Sequence, residues 1–280
     1  MTIRFKFFLL CLLPLSVLCE ANSASSGSGP ILILGAVPKE TPFIVERLEN
    51  REEGELYGFR YYTGQLGEHT VVISLTSVGK AHTAMCTALF IQTFEPSMAF
   101  MTGTASRTNP KKRTGDIVIP HTVFFHDYGS QTPEGILLAD FYLPSTRDKL
   151  SRFLPVDGDM RATAAELLKT YTPHEVTVDG LTYPVTIDSD GIVASGDLLG
   201  VQQARIDFLR TLEVDLMEME SAAFALTCMQ MEIPFLIVRS GSNLTQAKPS
   251  DEYLVYSPIA ANSAARLTHF LVTNWPDQAE

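Results

Sequence analysis

Short, continuous apolar runs limit the folds that are open to this chain. Three of them are Ile31–Leu34, Met98–Met101 and Phe235–Val238, and a glycine or a polar residue follows each one. A strand without a polar face must be covered on both sides, which is typical of parallel sheets flanked by helices. Segments with helical spacing, such as 80–94 and 257–272, alternate with these runs. The pattern predicts an α/β fold with three α/β/α layers around a central mixed, largely parallel sheet.

Composition and charge favour one domain and argue against one class of partner. The chain has 280 residues, 45% hydrophobic and 19% charged, and no break in composition divides it. We therefore expect a single globular domain over residues 31–280. A formal net charge of -11 argues against nucleic acid, because phosphate binding needs clustered lysine and arginine. The short basic cluster at 111–113 is better interpreted as a solvated turn.

The cysteines and histidines do not indicate a metal site. Six histidines are scattered singly, and Cys86 and Cys228 each lie in an apolar helical pattern without a metal-ligand spacing. Two buried thiols are the simpler interpretation of this pair, and a single disulfide between them stays open.

The first 21 residues are typical of a secretory signal peptide. Arg4 and Lys6 precede an apolar run from Phe7 to Cys19, which is too short for a comfortable membrane span. Small and polar residues follow, and cleavage after Ala21 leaves a flexible linker at 22–30. The sequence therefore predicts an exported protein, either periplasmic or secreted.

Polar groups follow four of the predicted strands. They lie in 35–40, 102–105, 217–220 and 239–243. Because ligands of open α/β sheets gather at the carboxyl ends of strands, we expect these segments to form one site. A carboxylate within an apolar run costs several kcal/mol unless it is paired. Glu218 and Glu220 are therefore either partners of Arg239 or kept for a ligand.

Seven segments of the chain resemble the purine nucleoside phosphorylase superfamily, namely 34–40, 62–66, 102–105, 115–118, 195–197, 217–220 and 234–239. Within it, they are similar to the nucleosidases of 5′-methylthioadenosine and S-adenosylhomocysteine. The resemblance implies a purine nucleoside N-ribosyl hydrolase that cleaves the C1′–N9 bond, with no metal and no organic cofactor. It also implies a homodimer, in which residues 126–129 are a candidate for a loop that closes the site of the other subunit.

The resemblance also implies roles for individual residues. Glu40 is the expected general base on water, and Arg239 and Thr104 are expected to hold that water and the sugar. Glu220 is expected to bind the ribose hydroxyls and to stabilise the sugar cation. In this scheme Glu218 is structural. The predicted substrate-binding residues are completed by Met219, which packs on the sugar, and by Ala36, Asp197 and Leu199.

The nucleophile separates hydrolases from phosphorylases in this superfamily. The phosphorylases bind phosphate with several arginines, one of them soon after the first strand. Here the corresponding loop contains no arginine, and Glu40 would repel phosphate. Water is therefore the predicted nucleophile. Phosphate stays an alternative because Arg107, close to Thr104 in the chain, is an arginine that can reach an anion.

Two positions depart from the nucleosidase pattern. Asn243 stands where the nucleosidases carry an aspartate that protonates purine N7, and an amide cannot transfer a proton. Leu199 stands where many of them stack a phenylalanine on adenine. These changes leave two alternatives open. One is a hydrolase or phosphorylase of 6-oxopurine nucleosides or futalosine, and the other is an exported nucleoside-binding or storage protein without catalysis.

Overall fold

The computed structural model describes residues 29–133, 135–198, 202–246 and 251–276. The predicted signal peptide, most of the linker and Leu199 lie outside these residues, so their assignments stay predictions. The helices are α1 (Pro42–Val45), α2 (Lys80–Phe94), α3 (Gly158–Leu168), α4 (Gln203–Thr211), α5 (Ser221–Gln230) and α6 (Glu252–Thr273). The strands are β1 (Ile31–Gly35), β2 (Glu49–Leu56), β3 (Phe59–Leu66), β4 (His69–Leu75), β5 (Met98–Arg107), β6 (Ile117–Phe125), β7 (Gly129–Thr132), β8 (Gly135–Leu138), β9 (Phe141–Tyr142), β10 (Lys149–Leu150), β11 (Leu154–Pro155), β12 (Glu175–Val178), β13 (Leu181–Pro184), β14 (Ile187–Ser195), β15 (Leu216–Glu218) and β16 (Phe235–Leu244).

One sheet of ten strands organises the described residues. Its order is β11-β6-β14-β15-β5-β1-β4-β3-β2, and β16 pairs with both β5 and β6. The run predicted at 31–34 forms β1, which lies between β4 and β5, parallel to both and buried along its whole length. Five of the ten strand pairs described in this sheet are parallel and five are antiparallel. The predicted α/β fold with a mixed sheet is confirmed, with a smaller parallel share than expected.

Part of this sheet closes into a ring. Because β16 bridges β5 and β6, the strands β5, β16, β6, β14 and β15 form a continuous cycle of pairs. Within it β16 runs parallel to β5, which places Arg239 beside Gly103 and Ser240 beside Thr104. β15 runs antiparallel to the last residues of β5, so the chain after Met217 returns toward Thr104. The predicted strand ends meet through both parallel and antiparallel neighbours.

Two segments differ from the sequence-based expectation. Pro38 suits the first turn of a helix and predicts one that runs towards Leu48, but α1 covers only Pro42–Val45. The preceding residues form a turn, because the Glu40 side chain accepts hydrogen bonds from the main-chain N–H groups of Ala36 and Val37. The sequence at 127–143 predicts a long loop, but this segment contains the β7–β8 hairpin, and its strand β9 pairs with β10.

The helices cover the sheet with aromatic and small side chains. Phe90 of α2 is fully buried, and its ring meets those of Phe59 and Tyr61 edge-on, with centroids 6.4 and 5.9 Å away. α6 packs on β16 and β5, and the Trp275 ring beyond its end meets Phe100 at 5.1 Å. No helix in the described ranges is long and apolar enough to span a membrane.

The two cysteines of the described chain are free thiols. Cys86 of α2 and Cys228 of α5 are both fully buried and unpaired, which excludes the disulfide that the sequence had left open. Burial raises the pKa of Cys86 to about 12 and that of Cys228 well above its usual range. A thiol in this state reacts slowly, because the thiolate is the nucleophile.

We expect neither thiol to react with iodoacetamide or with an aromatic disulfide reagent while the protein is folded, and both to react in denaturant. The measurement is mass spectrometry of a chain that begins at Asn22, with and without guanidinium. A reducing agent should leave the melting temperature unchanged. Labelling of either cysteine at the native rate of a free peptide thiol would contradict this burial.

Candidate active site

Glu40 lies beyond the carboxyl end of the central strand β1, in the turn that follows it. Its side chain is buried, with 2% of the residue exposed. Oε2 accepts hydrogen bonds from the N–H groups of Ala36 at 2.6 Å and Val37 at 3.2 Å. Oε1 accepts from the N–H and the hydroxyl of Thr104 at 2.8 and 3.0 Å. Four donors therefore fix the orientation of this carboxylate, as a general base requires.

Arg239 lies completely buried on β16 among carboxylates. Its Nε donates to Ser221 Oγ at 2.9 Å, and its Nη2 lies 2.5 Å from Glu218 Oε2 and 3.4 Å from Glu220 Oε2. Burial disfavours the charge, but Glu218 and Glu220 raise the pKa of the guanidinium, which stays positive. Among the described residues, Nη1 has no hydrogen-bond partner. One donor of a buried cation is thus left for a ligand or water.

Gly103 is the point at which Arg239 and Glu40 come together. A Cβ at this position would lie 2.3 Å from Arg239 Nη1 and 2.7 Å from Glu40 Oε1. Arg239 Nη1 and Glu40 Oε1 therefore both pack over the Cα of Gly103, and a residue with a side chain would push them away. A water molecule that reaches both groups can accept a hydrogen bond from the guanidinium and give a proton to the carboxylate.

Glu218 serves the protein rather than a ligand. Its carboxylate accepts hydrogen bonds from the N–H groups of Glu220 and Ser221 and from the Ser195 hydroxyl. It thereby caps the N-terminus of α5 with a negative charge, which suits the helix dipole. Because the same carboxylate binds Arg239, its oxygens are used within the fold.

Of the three carboxylates in this cluster, Glu220 has the fewest hydrogen-bond donors among the described residues. It is 4% exposed, yet its contacts are one N–H donor, that of Gly79 at 3.0 Å, and the longer contact with Arg239. Burial, followed by repulsion from Glu218, raises its pKa to about 8. A buried acid with a strongly raised pKa in a cluster of polar groups is typical of a functional site.

Asp197 lies on the other side of Gly79, at the beginning of α2. Its Oδ1 accepts from the N–H of Lys80 at 2.9 Å, so it caps α2 rather than touching the carboxylates described above. Asp127 accepts from the Lys80 ammonium and from the N–H of Asp197, both at 2.8 Å. His126 is fully buried beside it, and burial lowers its pKa. The predicted loop 126–129 therefore begins against the site of its own subunit.

The remaining predicted residues differ in how the structure places them. Asn243 ends β16 half-buried; its Nδ2 donates to the carbonyl of Leu244 and its Oδ1 accepts from Ser242, both at 3.0 Å. Met219 is half-buried between the two glutamates. Arg107 donates to the carbonyl of Lys112 at 2.8 Å, so this arginine is directed to a loop rather than to Arg239 or Glu40.

Several residues of the cluster were missing from the sequence-based prediction. Ser221 contacts Arg239 and Gly79 contacts Glu220, and Gly103, without a side chain, lets Arg239 and Glu40 pack against its backbone. Tyr253 of α6 lies next to the Thr104 hydroxyl. A glycine or serine at a helix start is usually a cap, and one tyrosine on an amphipathic helix is usually core, so these positions carried little signal.

Several known proteins are similar to this chain in sequence and in structure. The 5′-methylthioadenosine/S-adenosylhomocysteine nucleosidase of Psychromonas ingrahamii is 29% identical over 246 residues, covering 86% of this chain and 97% of the relative. The crystal structure of the enzyme of the same name from Neisseria meningitidis, in complex with methylthio-immucillin-A, has a TM-score of 0.73 at 26% identity. That alignment covers 88% of this chain and 99% of the other.

A more distant structure shares the fold. Futalosine hydrolase of Helicobacter pylori has a TM-score of 0.73 at 21% identity and covers 87% of this chain and 97% of its own. At the level of families, residues 30–272 match the model described as the phosphorylase superfamily. This match spans most of the chain and includes every strand end of the site, and the chain therefore belongs to the phosphorylase superfamily.

Proposed function

We propose that this chain is a purine nucleoside N-ribosyl hydrolase of the 5′-methylthioadenosine/S-adenosylhomocysteine nucleosidase type. One observation carries the proposal: the fixed carboxylate of Glu40 lies beside Arg239 Nη1 over Gly103, and this nitrogen has no hydrogen-bond partner among the described residues. A water molecule held there by the guanidinium can lose a proton to Glu40 as it attacks C1′. The relatives named above, which act on these nucleosides by name, support the substrate class.

Glu220 supplies the second half of the chemistry. Cleavage of the C1′–N9 bond builds positive charge on the sugar, and a carboxylate at the ribose hydroxyls stabilises that charge most strongly in the transition state. In the free protein the Gly79 N–H and the Arg239 contact leave Glu220 poorly satisfied. The two ribose hydroxyls would provide the missing donors.

The charges of the site favour water over phosphate. The carboxylates of Glu40 and Glu218 lie beside the single guanidinium of Arg239, and Glu220, with its raised pKa of about 8, adds negative charge only as it loses its proton. A phosphate dianion placed there would be repelled by more charges than attract it. Arg107, the other arginine considered for this task, is engaged with Lys112.

A second candidate function is hydrolysis of 6-oxopurine nucleosides, and Asn243 favours it. An amide can donate a hydrogen bond to N7 and does not repel the carbonyl at C6, whereas it cannot protonate an adenine. Rotation of the Asn243 side chain would free its Nδ2 from the neighbouring Leu244 carbonyl. The hydrolase chemistry at Glu40 and Glu220 is the same in both candidates.

Two further features belong to the proposal. The charge and hydropathy pattern of residues 1–21 supports export, and the exposed apolar side chains of Val78, Met85 and Tyr128 near the site support a homodimer. An exported nucleosidase would act on nucleosides outside the cytoplasm.

The hydrolase proposal predicts release of free base from 5′-methylthioadenosine, S-adenosylhomocysteine, inosine or futalosine at a rate that does not depend on phosphate. Glu40→Gln should lower kcat by about 10²–10⁴-fold, because the amide cannot accept the proton of water. Chromatography of the base, with and without phosphate, measures both. Glu166→Gln on the exposed face of α3 is the matched control and should keep the wild-type rate. A protein that binds these nucleosides and releases no base would instead be the non-catalytic binding protein.

Glu220→Gln should lose activity and gain stability. Its pKa of about 8 in the folded protein exceeds the ordinary value of 4.5, so the unfolded chain loses this proton first as the pH rises. The free energy of unfolding of the wild type should therefore fall between pH 4.5 and 8 relative to the glutamine variant, while kcat drops by about 10²-fold or more. Thermal melts from pH 5 to 9 measure the first effect.

Glu218→Gln provides the contrast, since Glu218 caps α5 and pairs with Arg239. Removing one partner of a buried pair costs about 3–5 kcal/mol, so this variant should melt below the wild type. Equal melting behaviour of the two glutamine variants would contradict the different roles given to the two glutamates.

Asn243→Asp separates the two candidate functions. An aspartate can protonate N7 of a leaving adenine, so turnover of 5′-methylthioadenosine should rise by about 10²-fold, and turnover of inosine or futalosine should fall because the carboxylate repels the C6 carbonyl. Steady-state kinetics on each substrate measure the change. Asn274→Asp, the same substitution at the end of α6, should leave both rates as they are. An unchanged substrate ratio in Asn243→Asp would show that this residue does not contact the base.

A further inference from the structure

A group of polar side chains beside Glu40 has no role in the reaction described above. Lys39 directly precedes Glu40 in the chain, and its Nζ donates to Ser257 Oγ at 2.8 Å. The same Nζ lies 4.7 Å from the centroid of the Tyr253 ring. Ser257 and Tyr253 are residues of α6, so these contacts join the turn after β1 to the first turns of that helix. We call Lys39, Tyr253 and Ser257 the α6 wall.

The α6 wall is continuous with the catalytic cluster. The Tyr253 phenol lies next to the hydroxyls of Thr104 and Ser257, and Thr104 in turn donates to Glu40 at 3.0 Å. Burial and the nearby charge of Glu40 raise the pKa of Tyr253. The phenol therefore keeps its proton at neutral pH and is a hydrogen-bond donor within the site.

The part of a nucleoside that meets this wall follows from the other assignments. Glu220, which would bind the 2′- and 3′-hydroxyls, accepts a hydrogen bond from the N–H of Gly79 at the beginning of α2. Asn243, which would face the base, lies at the end of β16. A nucleoside fixed at its diol and its base has one remaining substituent, the one on C5′. The hydrogen bonds described for Glu220 and Asn243 involve neither Lys39 nor a residue of α6, so the α6 wall is left for this substituent.

The side chains of the α6 wall indicate which chemical group the 5′ substituent carries. An ammonium, a hydroxyl and a phenol converge within a few ångströms, and all three can donate hydrogen bonds. Across the described ranges, Lys39 forms no salt bridge with a carboxylate. The charge of Arg239 is offset by Glu218 and by the nearby Glu40. Among the described residues, Lys39 is therefore the cation beside α6 to which an anionic group of a substrate would be drawn.

We infer that the α6 wall binds the 5′ substituent of the nucleoside and selects substrates in which this substituent carries a carboxylate. The inference rests on the proposed nucleosidase function and deepens it. Lys39 gives the charge-assisted hydrogen bond, which is stronger than one between neutral groups, and Tyr253 and Ser257 orient the acceptor. A short apolar 5′ substituent would leave these donors without a partner.

The test compares two substrates that differ only in this group, S-adenosylhomocysteine and its α-carboxamide. The wild type should show a higher kcat/KM for the acid, and Lys39→Met should reduce the ratio of acid to amide by about tenfold or more, the size expected for a charged hydrogen bond. Lys39→Arg should retain most of the preference. Lys169→Met, on the exposed surface of α3, is the matched control and should retain the full ratio.

Two outcomes would overturn the inference: equal ratios in the wild type and Lys39→Met, or a Lys39→Met variant that only melts at a lower temperature, which would make the wall a structural tie. Failure of the proposed function looks different, because no base would then be released from either compound. In that case calorimetric Kd values for the acid and the amide, measured on the wild type and Lys39→Met, decide the same question. An unchanged Kd ratio, or no binding of either compound, would refute the wall as a carboxylate site.

Discussion

The buried cation of Arg239 is the interaction on which the site depends. A guanidinium with no exposed surface needs carboxylates around it, and Glu218, Glu220 and Glu40 all raise its pKa. They do not share this task equally. Glu218 is saturated by the helix start, the Ser195 hydroxyl and Arg239, whereas Glu220 has a raised pKa and few donors. The fold thus neutralises one carboxylate completely and leaves another in need of a ligand.

Strand register, more than any single loop, creates this arrangement. The parallel pairing of β16 with β5 sets Arg239 beside Gly103, and the antiparallel pairing of β15 with β5 returns the acidic segment toward the same place. A shift of either strand by one residue would turn Arg239 or Glu218 to the opposite face of the sheet. The closed ring of strands resists such a shift, because every strand in it has two neighbours.

The strands of the core could be predicted from the sequence more reliably than the contacts of the site. Runs such as Ile31–Leu34 are apolar at every position because both faces are covered, and that requirement is visible without a structure. The turn at Glu40 could not be predicted in this way, because a side chain that binds its own main chain leaves no periodic pattern in the sequence. Contacts such as Gly79 with Glu220 join residues 141 positions apart, and only the folded register determines them.

The candidate site shows the same division. Strand ends and charged residues predict Glu40, Glu220 and Arg239 as one cluster, and in the structure Arg239 contacts Glu220 and lies beside Glu40 over Gly103. Asp197 lies at the start of α2 and caps that helix, and its predicted contact with the substrate stays a prediction. The complete enclosure of Arg239 has one more consequence. Mobile ions screen charges that water can reach and affect enclosed ones far less, so the attraction between this cation and its carboxylates should change little between dilute buffer and strong brine.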